Sequence, residues 1–357
     1  MDRKDELIQL QMEVIAQMNQ SNLNRIATDL WGSEQGKPSS VNASESSDST
    51  KVKTGDEIKS DKEKDEIVEE IQSEPIEKLF EELNSYIGLE SVKREVESLV
   101  NVVKVQQMRK QHNLPIKDMS LHLVFTGNPG TGKTMIARMM ARIYKSLNLL
   151  SKGQLVEIDR SGLVAGYVGQ TALKTSEVIK KAMGGVLFID EAYTLTNRGG
   201  TDYGQEAVDT LLKAMEDHRD DLVVIVAGYI EPMNDFIRSN PGLESRFNRF
   251  LNFEDYSVDE LMGIFELKAK QSGYKVAEDA KESLLEMLAM GSESPKTFGN
   301  GRGVRNLFEH AITEQANRLA TAKAPSAEML MQLTNEDFVA VREVLSGKKD
   351  KNNVEDN

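Results

Sequence analysis

The sequence predicts an α/β fold: a parallel five-stranded sheet covered by helices on both faces, followed by a small all-α domain. Three observations carry this. Five short runs rich in β-branched and aromatic residues, LHLVFTG, LVEID, VLFID, VVIVAG and RFLNFE, alternate with mostly helix-like segments of roughly 15–30 residues. Strands spaced that way need crossover connections, so they form a parallel sheet buried on both faces. A glycine-rich turn lies between the first run and a helical pattern. After Tyr256 the strand patterns stop and helical periodicity alone continues.

In chain order, residues 1–31 read as an N-terminal amphipathic helix, with Leu7, Leu10, Val14, Ile15 and Met18 at helical spacing. Such a helix docks on a partner or neighbouring subunit, or lies on its own domain; the pattern alone does not choose. Residues 32–75 hold no Leu, Met, Phe, Tyr or Trp, and twelve Asp/Glu against six Lys. This stretch buries too little apolar area to offset chain entropy and is expected to be a disordered acidic linker. Residues 76–256 form the α/β unit, opening with IEKLFEELNS and SVKREVESLVNVVKVQQMRKQH as helices. Residues 257–346 form the α-helical unit, where Ser257 with Glu260 and Thr334 with Asp337 have capping-box spacing. Residues 347–357 are a polar tail.

Composition removes several function classes. With no Cys among 357 residues, disulfides, thiol nucleophiles and cysteine zinc sites are excluded. The four His (His112, His122, His218, His310) offer no i,i+4 pair for a metal. The apolar run Val223–Ala227 is far shorter than the ~20 residues that cross a bilayer. MDRKDELIQL lacks the apolar core of a signal peptide, so a cytoplasmic location without membrane association is expected. The net charge of −14 disfavours a phosphate-backbone binder, and nucleic acid is not the expected partner.

The sharpest motif is Gly127-Asn-Pro-Gly-Thr-Gly132-Lys133-Thr134, which fits G-x-x-x-x-G-K-[ST] between a strand and a helix. Glycines let the loop fold tightly, and its N–H groups and the helix N-terminus attract phosphate. Asn128, Pro129, Gly130, Thr131, Gly132, Lys133, Thr134 and Met135 are the expected nucleotide-binding stretch. Lys133 is expected to reach the β- and γ-phosphates of ATP, and the Thr134 hydroxyl to ligate Mg²⁺. Some 55 residues on, Val186-Leu-Phe-Ile-Asp190-Glu191 is a buried-strand run ending in two carboxylates. Asp190 suits the Mg²⁺ role and Glu191 the general base that polarises water.

From about Leu83 to Leu345 the chain resembles an AAA+ ATPase of the CbbX and stage V sporulation protein K group. LNSYIGLESVKREV, FTGNPGTGKT, GYVGQTALKTSEVIKKAMGGVLFIDEAY, DYGQEAVDTLLKAMEDHRDDLVVIVAGY and SNPGLESRF carry the resemblance. It implies an ATP hydrolase with its site at a seam in a homo-oligomeric ring, with a hexamer as the expected size. Ile87 and Gly88 resemble the segment that packs on adenine. Arg246, in LESRF, resembles the arginine finger that reaches the neighbouring subunit's γ-phosphate, with Arg249 as a substitute. Asn300-Gly-Arg302-Gly-Val-Arg305 resembles the lid motif whose arginine contacts phosphate; Arg305 is preferred and Arg302 is the alternative. Many relatives place Asn or Thr at the end of the fourth strand to orient water. Here AGY places Tyr229 there, where its hydroxyl takes that duty or its ring simply packs.

Tyr167-Val168-Gly169, after the second strand, resembles the pore loop of ring-forming unfoldases. A tyrosine grips polypeptide by area burial without requiring a sequence. Residues 197–204, NRGGTDYG, are a candidate second pore loop. The expected function is remodelling or partial unfolding of an unidentified protein client. The alternatives are a nucleic-acid-directed motor or loader, using Lys174, Lys180 and Lys181, and an ATP-assembled scaffold or switch.

Overall fold

The computed structural model describes residues 73–346 other than 118, 168, 197–202, 321 and 323. The expected N-terminal helix, nearly all of the acidic linker, Val168, most of the second glycine-rich loop and the polar tail lie outside the described residues.

Two helices, α1 (Ile76–Ser85) and α2 (Glu90–Gln111), precede β1 (Leu123–Gly127) and α3 (Lys133–Ser146). Then come β2 (Leu155–Ile158), α4 (Arg160–Leu163), α5 (Thr171–Ala182) and β3 (Val186–Ile189). A 3₁₀ turn (Ala192–Thr196), α6 (Gly204–Asp217), β4 (Val223–Gly228), α7 (Ile230–Arg238), α8 (Pro241–Arg246) and β5 (Phe250–Phe253) complete the unit. The sheet has the order β2-β3-β4-β1-β5, and every neighbouring pair is parallel. The five runs read from the sequence are these five strands.

Alternation explains why the runs are apolar throughout. Phe125, Phe188 and Ile225 face one helical layer, while Val124, Leu187 and Val224 face the other. Successive side chains of a strand point to opposite faces, and here both faces are core. Phe125 meets Phe188 edge-on at 6.5 Å and Phe253 at 5.0 Å, joining three strands on one face. That face is continuous with the core of the C-terminal unit, which includes Phe265, Phe308 and Phe338.

A buried ion pair ties α1 to α3. Arg142 donates to both oxygens of Glu82 at 2.7 Å and to Glu74 at 2.9 and 3.0 Å. The carboxylates hold its guanidinium above its ordinary pKa despite burial.

The C-terminal unit consists of α9 (Val258–Gln271), α10 (Lys281–Ser292), α11 (Pro295–Phe298), α12 (Gly301–Ala320), α13 (Ala327–Met331) and α14 (Asn335–Leu345). Both expected capping boxes form. The unit differs from an all-helical reading in one detail. Two-residue strands β6 (Lys275–Val276) and β7 (Gln332–Leu333) pair in parallel. Gln315 on α12 donates to the carbonyls of Leu330 (3.1 Å) and Gln332 (2.8 Å) and holds this second strand. Two residues are too few to show alternation, so the pairing has no sequence signature.

His122 sits at the entry to β1, buried, and its Nδ1 accepts the Val224 N–H at 3.0 Å. Burial, with the positive charge of Arg246 nearby, pushes its pKa down to about 4. The folded state therefore needs the neutral ring, whereas the unfolded chain protonates near pH 6.5. Stability from this site is full above that value and is lost as pH falls toward 4. Acidification from pH 7 to 4.5 should cost the wild type up to about 3 kcal/mol more than His122→Asn, by urea denaturation at each pH.

Candidate nucleotide site

The carboxyl ends of β1, β3 and β4 converge on one cavity of about 170 Å³. Its walls are Gly127, Pro129, Gly130, Gly132, Lys133, Thr134 and Met135 from the loop after β1, and Asp190 and Glu191 after β3. Gly228 and Tyr229 after β4, and Gly301 and Arg302 at the start of α12, complete them. In a parallel sheet the carboxyl ends are where loops are free to form a crevice, which accounts for the placement.

The loop is built by its own backbone. The Lys133 ammonium donates to the carbonyls of Gly127 (2.9 Å) and Asn128 (2.7 Å). The buried Thr131 hydroxyl donates to the Asn128 carbonyl at 2.8 Å. Asn128 and Thr131 thus shape the loop rather than line the cavity. Gly130 has φ +71°, and a Cβ there would stand 2.0 Å from the Gly299 carbonyl oxygen. This glycine is needed for the close approach of the α-helical unit, as well as for the turn. Burial pushes the Lys133 pKa down to about 8; Asp190 partly restores it and the Arg302 charge lowers it further. A desolvated ammonium facing a second cation gains strongly from a polyanion, which is what a phosphate site requires.

Glu191 is exposed and has φ +48°, a left-handed conformation that costs a non-glycine residue about 1 kcal/mol or more. Its carbonyl accepts the Thr194 N–H (2.9 Å) and hydroxyl (2.7 Å), and its N–H donates to Asp190 Oδ1 (3.0 Å). Both residues line the one cavity across this strained turn. Tyr193, which sequence reasoning passed over, has its hydroxyl pKa raised to about 12 by burial and by the negative charge of Glu191. It remains a protonated donor beside that carboxylate. The Tyr193 and Tyr229 rings are 6.2 Å apart, and Lys296 Nζ lies 5.9 Å from the Tyr229 ring centre.

The two lid arginines separate. Arg302 lines the cavity. Arg305, the preferred residue from the sequence, lies one turn on and pairs with Glu309 at 2.7 Å. The helix begins at Gly301, so Arg302 stands in its first turn, beside the loop.

Ile87 and Gly88 do not line this cavity. Ile87 packs beside Gly263 of α9, where a Cβ would stand 3.3 Å from it. Gly88 has φ +65° and abuts Tyr256 and Glu260. Tyr256 in turn donates through its hydroxyl to the Thr131 carbonyl at 3.3 Å, so the Ile87 turn borders the phosphate loop through Tyr256.

Arg246 lies at the other end of the sheet. The Ser120 hydroxyl, before β1, donates to the Arg246 carbonyl. At ~3.3 Å per residue, Ser120 and Gly127 are separated by roughly 20 Å of extended chain. Arg246 Nη2 pairs with Glu216 at 2.8 Å, and its Nε is buried with no partner in the described structure. Arg249 begins the approach to β5 at the same end; its carbonyl accepts the Val124 N–H.

Tyr167 is 73% exposed. Its loop is braced: Ala165 N–H donates to the Thr171 hydroxyl (3.1 Å), and Lys174 donates to the carbonyls of Ser161 (2.6 Å) and Val164 (3.1 Å). Lys174 is thereby committed to its own backbone, while Lys180 and Lys181 are exposed at the far end of α5.

The family models match in two consecutive pieces. Residues 123–255 match the ATPase family associated with various cellular activities (AAA), and residues 257–347 match the AAA lid domain.

The chain belongs to the AAA ATPase family.

It is 40% identical to stage V sporulation protein K of Bacillus subtilis, over 76% of this chain and 85% of that protein. It is 43% identical to CbbX of Cereibacter sphaeroides, over 75% of this chain and 87% of that one. It is 42% identical to the chloroplastic ribulose bisphosphate carboxylase/oxygenase activase of Cyanidioschyzon merolae, over 70% and 86%. Among solved structures, a RuvB point mutant from Thermotoga maritima aligns with a TM-score of 0.50 at 18% identity, covering 74% of this chain and 71% of that one, a likeness of fold. As a member of this AAA group, the chain is an ATP-hydrolysing enzyme. No helix among the described residues is long and apolar enough to cross a membrane.

Arg302→Ala should weaken binding of a fluorescent ATP analogue by about tenfold or more, the loss of a charged hydrogen bond. Arg305→Ala should stay within about twofold, since it breaks an exposed i,i+4 pair. Equilibrium titration of both variants checks this.

Proposed function

We propose that this AAA ATPase forms a ring, most simply a hexamer, and uses hydrolysis to remodel or partly unfold a protein client gripped by Tyr167. The observation that carries the reading is the exposure of Tyr167, a large aromatic side chain on a loop braced at both ends. Aromatic area held in solvent by a built loop is a grip suited to polypeptide of any sequence.

In this reading Glu191 takes a proton from the attacking water. Lys133 and Arg302 neutralise the phosphate oxygens, and Tyr229 borders the reacting centre, where its hydroxyl is available to orient water. Thr134 and Asp190 offer a hydroxyl and a carboxylate in one cavity. Those hard oxygen donors fit Mg²⁺, which completes its shell with phosphate and water. When bound, the ion offsets charge on the β- and γ-phosphates.

Arg246 is too far from its own cavity to act there, so it serves a neighbouring copy. Its unpartnered Nε and its pairing to exposed Glu216 leave it ready to exchange partners at a subunit seam. The client remains a class, a protein. The activase name of one relative supports protein-directed work, and the sporulation name of another leaves the client open.

Glu191→Gln should bind ATP within about twofold of wild type and lose turnover by at least ~10²-fold, the usual worth of a general base. Tyr167→Ala in the wild-type background should keep basal hydrolysis and lose remodelling of clients captured on the Glu191→Gln trap. Normal hydrolysis by the first variant, or intact remodelling by the second, contradicts the assigned roles.

A further inference from the structure

Arg160 opens α4, the short helix between β2 and the Tyr167 loop. Its guanidinium does not point along that helix. Nη1 donates to the carbonyl of Thr194, in the 3₁₀ turn that follows Glu191. Thr194 in turn donates twice to the Glu191 carbonyl, at 2.9 and 2.7 Å. One side chain is therefore two hydrogen bonds from the strained backbone that aims the catalytic carboxylate. On the other side, the Arg160 carbonyl accepts the Val164 N–H at 2.9 Å, where the loop leaves α4. The same residue holds the catalytic turn through its side chain and the loop through its backbone.

The surroundings show that this contact is a bridge and not core packing. An open cleft of about 490 Å³ lies between the two parts, with Val164, Ala165 and Gly166 on one side and Glu191 and Thr194 on the other. Arg160 crosses it, half-buried. Its far end also meets the start of α6: a Cβ on Gly204 would stand 2.9 Å from Nη1 and 2.0 Å from the Leu195 carbonyl oxygen. Gly204 leaves room for the guanidinium at that corner. Beyond Arg160, Ser161, Val164 and Ala165 are braced against Lys174 and Thr171, which ties the start of the Tyr167 loop to α5 on its far side.

We propose that Arg160 is a positioning residue that couples the Glu191 turn to the Tyr167 loop, so that nucleotide occupancy and loop position are read by one another. This rests on the proposed remodelling function for its purpose, but its test needs no client. Coupling is reciprocal: a residue that carries nucleotide state to the loop also carries loop state to Glu191. A fork-shaped guanidinium suits a fixed carbonyl across a gap better than a flexible ammonium does.

The test is amide hydrogen exchange of residues 161–172 in the full chain, with and without ATPγS and Mg²⁺, alongside steady-state ATP hydrolysis. Wild type should show a nucleotide-dependent change in that segment. Arg160→Met keeps the apolar stem and removes the donors. It should bind ATPγS within about twofold of wild type, lose the exchange response, and drop kcat about tenfold with KM unchanged, the pattern of a misaimed catalytic group. Arg160→Lys should recover part of both. An undiminished response in Arg160→Met overturns the coupling, as does a rise in KM that tracks a fall in melting temperature, which marks a merely structural role. Should Arg160→Met not fold, Arg160→Lys decides: a reduced response upholds the bridge and a full response rejects it. If wild type binds ATPγS but the segment does not respond, this inference alone fails. The remodelling reading fails separately, if Tyr167→Ala leaves remodelling intact.

Discussion

Asn300 is the joint on which the nucleotide cavity depends. It is buried, with a left-handed φ of 51°, which Asn tolerates better than most residues. Its side-chain oxygen accepts the Tyr256 N–H at 3.1 Å. Its amide donates to Asp255 at 2.8 Å and to the Pro129 carbonyl at 3.2 Å. Asp255 also receives Asn128 at 2.8 and 3.0 Å, and the Gly301 N–H donates to the Gly130 carbonyl at 3.1 Å. The end of the sheet, the phosphate loop and the first turn of α12 are thus bound in one polar cluster. The lid contributes Arg302 to the cavity because this cluster fixes where its helix begins.

The cluster also sets what can move. Around it the apolar core runs continuously from Phe125 to Phe308, so the lid cannot float free of the ATPase unit. Its angle is nevertheless set by a few polar bonds to the same loop that must accept phosphate. A ligand that reorders the carbonyls of Pro129 or Gly130 acts directly on the lid. A hinge held by the binding loop itself is a physical route from nucleotide state to domain angle.

Much of this was legible in the sequence because the signals were local. Lys133, Thr134, Asp190 and Glu191 are placed by strand ends, and a strand end is visible as an apolar run stopping at Gly or Asp. The five strands and both capping boxes were read for the same reason. What was not legible depends on contacts between distant segments. Arg302 and Arg305 are separated by the register of a helix start, which Asn300 decides through partners some 45 and 171 positions away in the chain. Tyr193 acquires its setting from the turn at Glu191, whose left-handed backbone has no residue-type signature. An Asn-Gly pair at residues 300–301 was the one clue to a left-handed position there. The paired strands of the lid, two residues each, fell below any periodicity.

The central claim is that ATP is hydrolysed between copies, with the arginine of one completing the cavity of the next. The most direct measurement mixes two inactive variants, Lys133→Ala, which keeps its arginine, and Arg246→Ala, which keeps its phosphate loop. With sites at seams, a random equimolar mixture rebuilds intact sites at about a quarter of interfaces, and hydrolysis returns to roughly that fraction of wild type. Hydrolysis that stays at the level of the separate variants, under conditions where the subunits exchange, would contradict a shared site.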